Sequence, residues 1–443
     1  MNLIKDYIIL NQNRNKASVK KIEALQLKAL KKIYQYALKH SPYYQTLYGA
    51  YKFETLDDFY KLPTINKKIM MTNFSTLNTH GLDLASTMNY AVEKELNQDY
   101  LGYYKERFVV GLSSGTSGNK GLYITQKSLT KRLPGLFLAR GGISLKDLPL
   151  RIMFCLRVFS QGFDDINAPF LKLKYSSTMV DMTKFIEDLN ANRTNLLMAP
   201  PSFIRQILPY IDLIKVRLKK IITYAEVLSQ SDKQQFERLF ETKVIEIYQA
   251  SEGQMASACQ YGHLHINEDL VFIELYDANN KLINKPNVVG HKMIITNLIN
   301  FSQPLIRYEM NDMIILDEQC PCGSNFRRIK QILGRCDDNI FFLDEKDTKQ
   351  VVYADLFSRW LITTSDDIRE FQVIQKEVGH IEVKLDVPKD FTVKLVKDRL
   401  DSELKKLGLK GSYKFIIEPI ELPKHLNKYK RFITNLSTKD IDS

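Results

Sequence analysis

The run Ser113-Ser114-Gly115-Thr116-Ser117-Gly118-Asn119-Lys120-Gly121 combines four hydroxyls, three glycines and one lysine after the apolar Phe108-Val109-Val110. Small residues let backbone N–H groups turn toward an anion, hydroxyls add donors, and the lysine supplies positive charge. The chemistry this composition serves is the holding of a polyphosphate. It is not a Walker A loop, because Gly121 follows Lys120 where Ser or Thr is required.

Four further clusters follow in order. Tyr248-Gln249-Ala250-Ser251-Glu252-Gly253 comes after the strand-like Val244-Ile245-Glu246-Ile247. Next are Ile306-Arg307-Tyr308-Glu309-Met310-Asn311-Asp312 and Leu333-Gly334-Arg335-Cys336-Asp337-Asp338, and near the C-terminus Lys428-Tyr429-Lys430-Arg431. A separate set, Cys259-x₃-His263-x-His265 with Cys320-Pro321-Cys322-Gly323, offers thiolates and imidazoles that could close a tetrahedral Zn²⁺ site. The spacing departs from the zinc-ribbon CxxC, so reduced, buried thiols without metal are the alternative. Five cysteines, an odd number, argue against a disulfide framework.

The elements that must position these residues are legible from periodicity. Ile22, Leu25, Ala29, Ile33 and Tyr36 recur at helical spacing and predict a helix over 17–40, stopped at Ser41-Pro42. Apolar runs predict strands at 150–156, 195–198, 221–224, 244–248 and 271–276, with helices at 202–210 and 231–240 between them. Such alternation predicts an α/β fold with buried sheets, whose ligand loops gather at strand ends. Strands at 371–375, 381–387 and 413–418 around a helix at 391–407 predict a separate α+β unit. The expected division is 1–336 and 337–443.

At 443 residues, 44% hydrophobic and 26% charged, the chain has a globular composition with length for two or three domains. No apolar run reaches the ~18 residues of a membrane span. The N-terminus lacks a signal-peptide core, which points to a cytoplasmic protein. The net charge of +12 is spread along amphipathic segments without a nucleic-acid-binding signature, so nucleic acid is excluded as a partner. It does fit attraction of an anionic substrate or an acidic acyl carrier protein.

Taken in this order, the motifs resemble those of the adenylate-forming superfamily. Within it they resemble the branch of phenylacetate–CoA ligase and of the synthetase that adenylylates a deazaflavin coenzyme. The resemblance runs from Ser41-Pro42-Tyr43-Tyr44 to the C-terminal lysines. It implies a large N-terminal domain of layered sheets and helices that binds ATP and an acid, and a small mobile C-terminal domain that turns about Asp337. The implied reaction is ATP- and Mg²⁺-dependent activation of a carboxylic acid, aryl or arylacetic, as an acyl-adenylate, then transfer to the thiol of CoA or phosphopantetheine. A homodimer is implied as well.

The resemblance also assigns roles. Ser113, Ser114, Gly115, Thr116, Ser117, Gly118 and Lys120 match the phosphate loop, with Thr116 and Lys120 acting in catalysis. Glu252 would ligate Mg²⁺, Ser251 would lie by the α-phosphate, and Tyr248 would stack on adenine. Ala225 and Glu226 match the segment whose backbone lines the adenine site. Asp312 and Arg335 would contact the ribose, although Glu309, Met310 and Asn311 stand where Arg, Thr and Gly are common. Lys428 would bridge substrate carboxylate and α-phosphate. Cys259, His265, Cys320 and Cys322 are the implied Zn²⁺ ligands, with His263 a bystander.

One departure bears on the second half-reaction. Relatives that use CoA carry a glycine beyond the Asp-Asp pair, and Asn339-Ile340-Phe341-Phe342-Leu343-Asp344-Glu345-Lys346 has none. Acyl transfer to an amine, an adenylyltransferase moving AMP onto a hydroxyl, and a non-catalytic nucleotide-binding protein are the alternatives. Phe154, Phe159, Phe163 and Tyr224 are candidates to wall an apolar acyl pocket, with ordinary core packing as the other reading.

Overall fold

A computed structural model describes residues 3–97, 101–113, 120–143, 145–156, 161–365, 367–420 and 430–436. They divide into two compact units, one of Met1–Met310 with Leu316–Lys330, the other of Asn311–Ile315 with Gln331–Ser443.

In the larger unit, β1 (Phe108–Leu112) and β2 (Leu122–Gln126) form an antiparallel hairpin. A seven-stranded sheet follows, from β3 (Leu150–Leu156), β4 (Leu171–Ser177), β5 (Leu196–Met198), β6 (Lys220–Thr223), β7 (Lys243–Ala250), β8 (Gly253–Ala258) and β9 (Leu264–Ile266). Its order is β4-β3-β5-β6-β7-β8-β9, parallel through β7 and antiparallel beyond. Successive side chains alternate faces, and here both faces are apolar. Ile152, Phe154, Leu196, Met198, Ile222 and Ile245 pack one way, with Phe137 and Leu138 of the helix Leu133–Arg140. Met153, Cys155, Leu197, Ile221 and Val244 pack the other way, under the helices Met182–Ala191, Pro201–Ile207 and Gln230–Leu239. The predicted strands and helices stand where periodicity placed them, to within a few residues at their ends.

Two helices wrap this core, α1 (Leu3–Lys16) and α2 (Val19–His40). Ser18 caps α2 by accepting the Lys21 N–H. Ser41 ends α2 and also caps the next helix, α3 (Pro42–Tyr48), so the expected stop is a change of direction. A further antiparallel sheet holds β10 (Val271–Tyr276), β12 (Lys292–Asn297) and β13 (Tyr308–Met310), with the two-residue β11 (Val289–Gly290) between them in sequence. Under it, Arg307 is fully paired: Nε and Nη2 reach the Glu274 carboxylate at 3.0 and 2.8 Å, and Nη1 donates to the carbonyls of Tyr60 and Leu62. Removing one partner of such a pair strands a buried charge, at a cost of about 3–5 kcal/mol.

The chain passes between the units along β14 (Asp312–Leu316) and β15 (Ile329–Arg335). The smaller unit then holds β16 (Ile340–Asp344), β17 (Lys349–Val352), β18 (Glu370–Glu377), β19 (His380–Asp386), β20 (Leu409–Lys410), β21 (Ser412–Ile417) and β22 (Phe432–Thr434). Its four-stranded sheet runs β21-β19-β18-β22, with the helices Ala354–Ile362 and Val393–Lys406 sharing its core.

Candidate active site and metal centre

The run from Ser113 to Gly121 links β1 to β2 along the chain. Beyond the last strand pair, the Ser113 N–H donates to the Gly121 carbonyl at 2.8 Å, and Ser113 Oγ accepts the Gly121 N–H at 2.8 Å. The base of the turn is therefore closed on both sides. Gly121 is required there, since a Cβ would lie 2.9 Å from the Tyr123 ring and 3.0 Å from Ser113 Oγ. Lys120 is half-buried and ion-paired with Glu95 at 2.5 Å, at the end of the helix Leu84–Leu96. Ser114, Gly115, Thr116, Ser117, Gly118 and Asn119 lie outside the described residues, as do Phe159 and Lys428.

Ser251 and Glu252 are the two-residue connection between β7 and β8, with Ala250 opposite Gly253. Tyr248 lies within β7 itself. The Glu252 carbonyl is clamped by Asn297 Nδ2 at 2.7 Å. Its side chain meets the hairpin: Tyr123 donates its phenol to Glu252 Oε1 at 2.6 Å, with the Tyr308 oxygen 3.3 Å from that of Tyr123. Burial, the Glu252 charge and Tyr308 push the Tyr123 phenol far above its usual range, so it stays a donor. Glu252 thus meets β2 just past the end of the 113–121 run. A half-buried carboxylate with an oxygen free of partners among the described residues suits a hard, oxygen-seeking cation such as Mg²⁺.

The remaining nucleotide candidates are distributed between the units. Ala225, just past the end of β6, has φ +66°, a left-handed conformation that costs a non-glycine residue roughly 1–2 kcal/mol. The Glu226 carboxylate accepts Ser202 N–H at 3.0 Å and Ser202 Oγ–H at 2.7 Å, at the start of the helix Pro201–Ile207. Asp312 and Arg335 belong to the smaller unit, where the Cys336 N–H donates to the Asn311 carbonyl at 2.8 Å. That pairing brings Asp312 and Arg335 onto neighbouring positions of β14 and β15. Arg431 is held by a bidentate contact to Glu370 at 2.7 and 2.9 Å, at the start of β22.

The cysteine–histidine set assembles from two turns of the larger unit. A tight hairpin joins β8 to β9, with the Cys259 N–H on the His263 carbonyl at 2.8 Å and Gly262 at φ +80°. It presents Cys259 and His265, and the loop between β14 and β15 presents Cys320 and Cys322. The four ligand atoms all lie within 4.8 Å of one another. Cys259 Sγ and Cys320 Sγ are 3.8 Å apart, and Cys322 Sγ is 3.5 Å from His265 Nε2. A tetrahedron with Zn–S bonds of about 2.3 Å has edges of about 3.8 Å, so the residues fit this metal. His265 Nδ1–H donates to the Phe326 carbonyl at 2.8 Å, which turns Nε2 toward the thiolates. His263, expected to stand aside, lies with Nδ1 3.2 Å from Cys320 Sγ, within reach of the thiolate but outside the set of four.

This cluster ties the chain together. Ser324 Oγ donates to the Arg14 carbonyl at 2.6 Å and Asn325 Nδ2 to the Ala17 carbonyl at 2.9 Å, fixing the elbow between α1 and α2. Arg14 is buried against Ser257, its guanidinium pulled down to about 10 by burial and by Arg140, against the pull of the Cys259 and Cys322 thiolates. The Asn267-Glu268-Asp269 segment is used residue by residue. Asn267 accepts from Ser257, Glu268 pairs with Arg327 and Gln26, and Asp269 pairs with Arg140.

Phe154, Phe163 and Tyr224 do come together, with ring centroids 4.8 and 5.4 Å from that of Phe154. Phe154 and Tyr224 are buried in the sheet core, and the Tyr224 phenol donates to the Cys155 carbonyl at 2.5 Å. Sequence reasoning passed over Tyr123, Asn297, Asn300 and Gln303, which frame the Glu252 turn. Polar residues inside apolar strands were the available signal for Tyr123 and Asn297, whereas Asn300 and Gln303 lie in the loop after β12.

No family model matches the chain. A curated relative, protein CapK of Staphylococcus aureus, is 25% identical over 280 residues, which take in 61% of this chain and 60% of that protein, less than two thirds of its length. Solved structures match at lower identity. 2-Hydroxyisobutyryl-CoA ligase in complex with 2-HIB-AMP superposes with a TM-score of 0.72 at 16% identity, over 97% of this chain and 92% of that one. Anthranilate CoA ligase AuaEII bound to anthranoyl-AMP gives 0.52 at 12%, over 73% and 66%. ATP-bound MatB from Rhodopseudomonas palustris gives 0.52 at 14%, over 75% and 66%. The fold is that of AMP-forming acyl-CoA ligases. Among the described residues, no helix is long and apolar enough to cross a membrane.

Proposed function

We propose that the protein is an AMP-forming acid ligase, activating a small carboxylic acid with ATP and Mg²⁺ and passing the acyl group to a thiol acceptor such as CoA or a carrier-borne phosphopantetheine. The observation that carries this reading is the contact between Glu252 and β2 of the phosphate hairpin, within a fold shared with ligases solved with acyl-adenylates and ATP.

In this reading the hairpin turn, with Thr116 and Lys120, holds the β- and γ-phosphates, and Glu252 holds Mg²⁺, which offsets the negative charge gathering there. Tyr248, Ala225 and Glu226 line the adenine, Ser251 borders the α-phosphate, and Asp312 and Arg335 take the ribose. Lys428, in the domain from residue 337 onward, bridges the acid and the α-phosphate. A substrate carboxylate oxygen attacks the α-phosphorus, the bond to the bridging oxygen breaks, and pyrophosphate leaves. The acceptor sulfur then attacks the acyl carbon, expels AMP and loses its proton. An aryl or arylacetic acid is the proposed substrate class. Cys259, His265, Cys320 and Cys322 hold a structural Zn²⁺.

Acid-dependent exchange of labelled pyrophosphate into ATP, screened over aromatic and aliphatic acids, tests the first step. Failure of every acid together with a stable AMP-bearing product from a hydroxyl compound would replace the ligase by an adenylyltransferase. One observation favours a non-thiol acceptor as the second reading. On β16, the Phe341 N–H and carbonyl are both bonded to the Gln375 carboxamide at 2.8 Å, and no glycine lies in 339–346 to let a pantetheine arm approach. Mass analysis of the product formed with CoA and with amines decides between them.

A further inference from the structure

The short contact between the phosphate hairpin and the Glu252 turn has both of its ends held by one segment. Gln303 accepts the Ile124 N–H at 2.8 Å and donates to the Leu122 carbonyl at 3.0 Å, bracketing the main chain of Tyr123. Asn300 adds a bond to the Ile124 carbonyl at 2.9 Å. Asn297 clamps the Glu252 carbonyl at 2.7 Å, while its own Oδ1 collects the N–H groups of Ile299 and Asn300 at 3.0 and 2.9 Å. Gln303 and Asn297 are buried, so each carboxamide works where a missing partner is costly. Donor and acceptor of the Tyr123–Glu252 bond are therefore fixed relative to one another before any ligand arrives.

We infer that Tyr123 and Asn297 are positioning residues for a divalent cation: Asn297 sets the main chain of Glu252, and the Tyr123 phenol engages Oε1, so that Oε2 is the oxygen aimed at the metal carried by ATP. This rests on the reading of Glu252 as a cation ligand. A glutamate side chain has three rotatable bonds, and a carboxylate free to swing spends most of its time away from the ligating direction. One donor on one oxygen selects the rotamer, leaving the other oxygen to the cation. Tyr308, 3.3 Å from the Tyr123 oxygen, meets the phenol rather than the Oε1 that the phenol engages.

The test is Mn²⁺ binding by the full chain in the presence of ATP, read as loss of the free-ion paramagnetic resonance signal, with no acid substrate. Mn²⁺ shares the oxygen preference of Mg²⁺. Tyr123→Phe keeps the ring and removes the donor, and should weaken Mn²⁺ binding about tenfold, in the range seen when a partner of a metal ligand is lost. Tyr308→Phe should stay within about twofold of the wild type on the same scale. A Tyr123→Phe shift under about twofold, or an equal loss in Tyr308→Phe, overturns the inference. Melting curves are taken first, and if Tyr123→Phe does not fold, Asn297→Ala is judged by the same threshold. Glu252→Gln separates the two levels: if it leaves Mn²⁺ binding unchanged, the ligand reading itself falls. If it abolishes binding while Tyr123→Phe is silent, only the positioning role falls.

Discussion

The β8–β9 hairpin and the β1–β2 hairpin lie in one unit, yet they present their polar groups differently. At β8–β9, Cys259 and His265 meet Cys320 and Cys322 as four donors on one centre, and the second nitrogen of His265 is spent on the Phe326 carbonyl. A metal held there would have a closed coordination, as structural metal sites do. At β1–β2, the base is tied at Ser113–Gly121 and Glu252 is braced by Tyr123, but each brace stops short of the carboxylate's second oxygen. The first arrangement is complete once metal is bound. On the proposed function the second is preorganised and left open, as a site that must accept and release a ligand has to be.

The comparison can be broken most severely at the closed site. Replacing Cys320 by Ser should take bound zinc from about one equivalent to under ~0.2, and should loosen the α1–α2 elbow held by Ser324 and Asn325. Metal analysis and hydrogen exchange over residues 14–19 check this, and protection unchanged after zinc loss would contradict the staple role. Next in size is Glu252→Gln, expected to slow pyrophosphate exchange by roughly 10²–10³-fold, the scale of losing one electrostatic stabiliser, without disturbing bound zinc. Co-loss of zinc would mean that the two hairpins are not independent.

A smaller effect attaches to Glu95. Its pair with Lys120 is partly exposed, so removing it by Glu95→Gln should change nucleotide affinity by only about two- to fivefold. Tightening is the expected direction, because the carboxylate competes with phosphate for the lysine. Titration with a non-hydrolysable ATP analogue reads the sign, and weaker binding would recast Glu95 as an orienting group.

The smallest effect is a pH dependence on the β1 side. His80, tilted against Phe108 with ring centroids 4.9 Å apart, is pushed below its usual range by burial, helped by Arg107 and His40. Above the unfolded value of about 6.5 the imidazole is neutral in both states and contributes no slope. As pH falls below it, the unfolded chain binds a proton that the folded chain resists, and stability is lost until the folded value is passed. Melting temperatures of wild type and His80→Asn between pH 7.5 and 5 should diverge in that window. Parallel curves would remove His80 from the account.

The sequence by itself determined what depends on neighbours along the chain. Apolar runs marked β3, β7 and β10, the hydroxyl–glycine run marked the link between β1 and β2, and thiols and imidazoles marked the Cys/His cluster, because each signal lies within a few residues. Helix α1 escaped, since Ile4, Ile8 and Ile9 are exposed at 62, 46 and 43% and blur its apolar stripe. The tertiary structure alone decided that Tyr123 meets Glu252, that Asn297 and Gln303 hold two segments distant in sequence, and that His263 Nδ1 comes to 3.2 Å from Cys320 Sγ. A phenol or carboxamide in an apolar strand has no spacing to announce its partner; only folding brings the buried donor and acceptor together, and burial makes leaving either one unpaired costly.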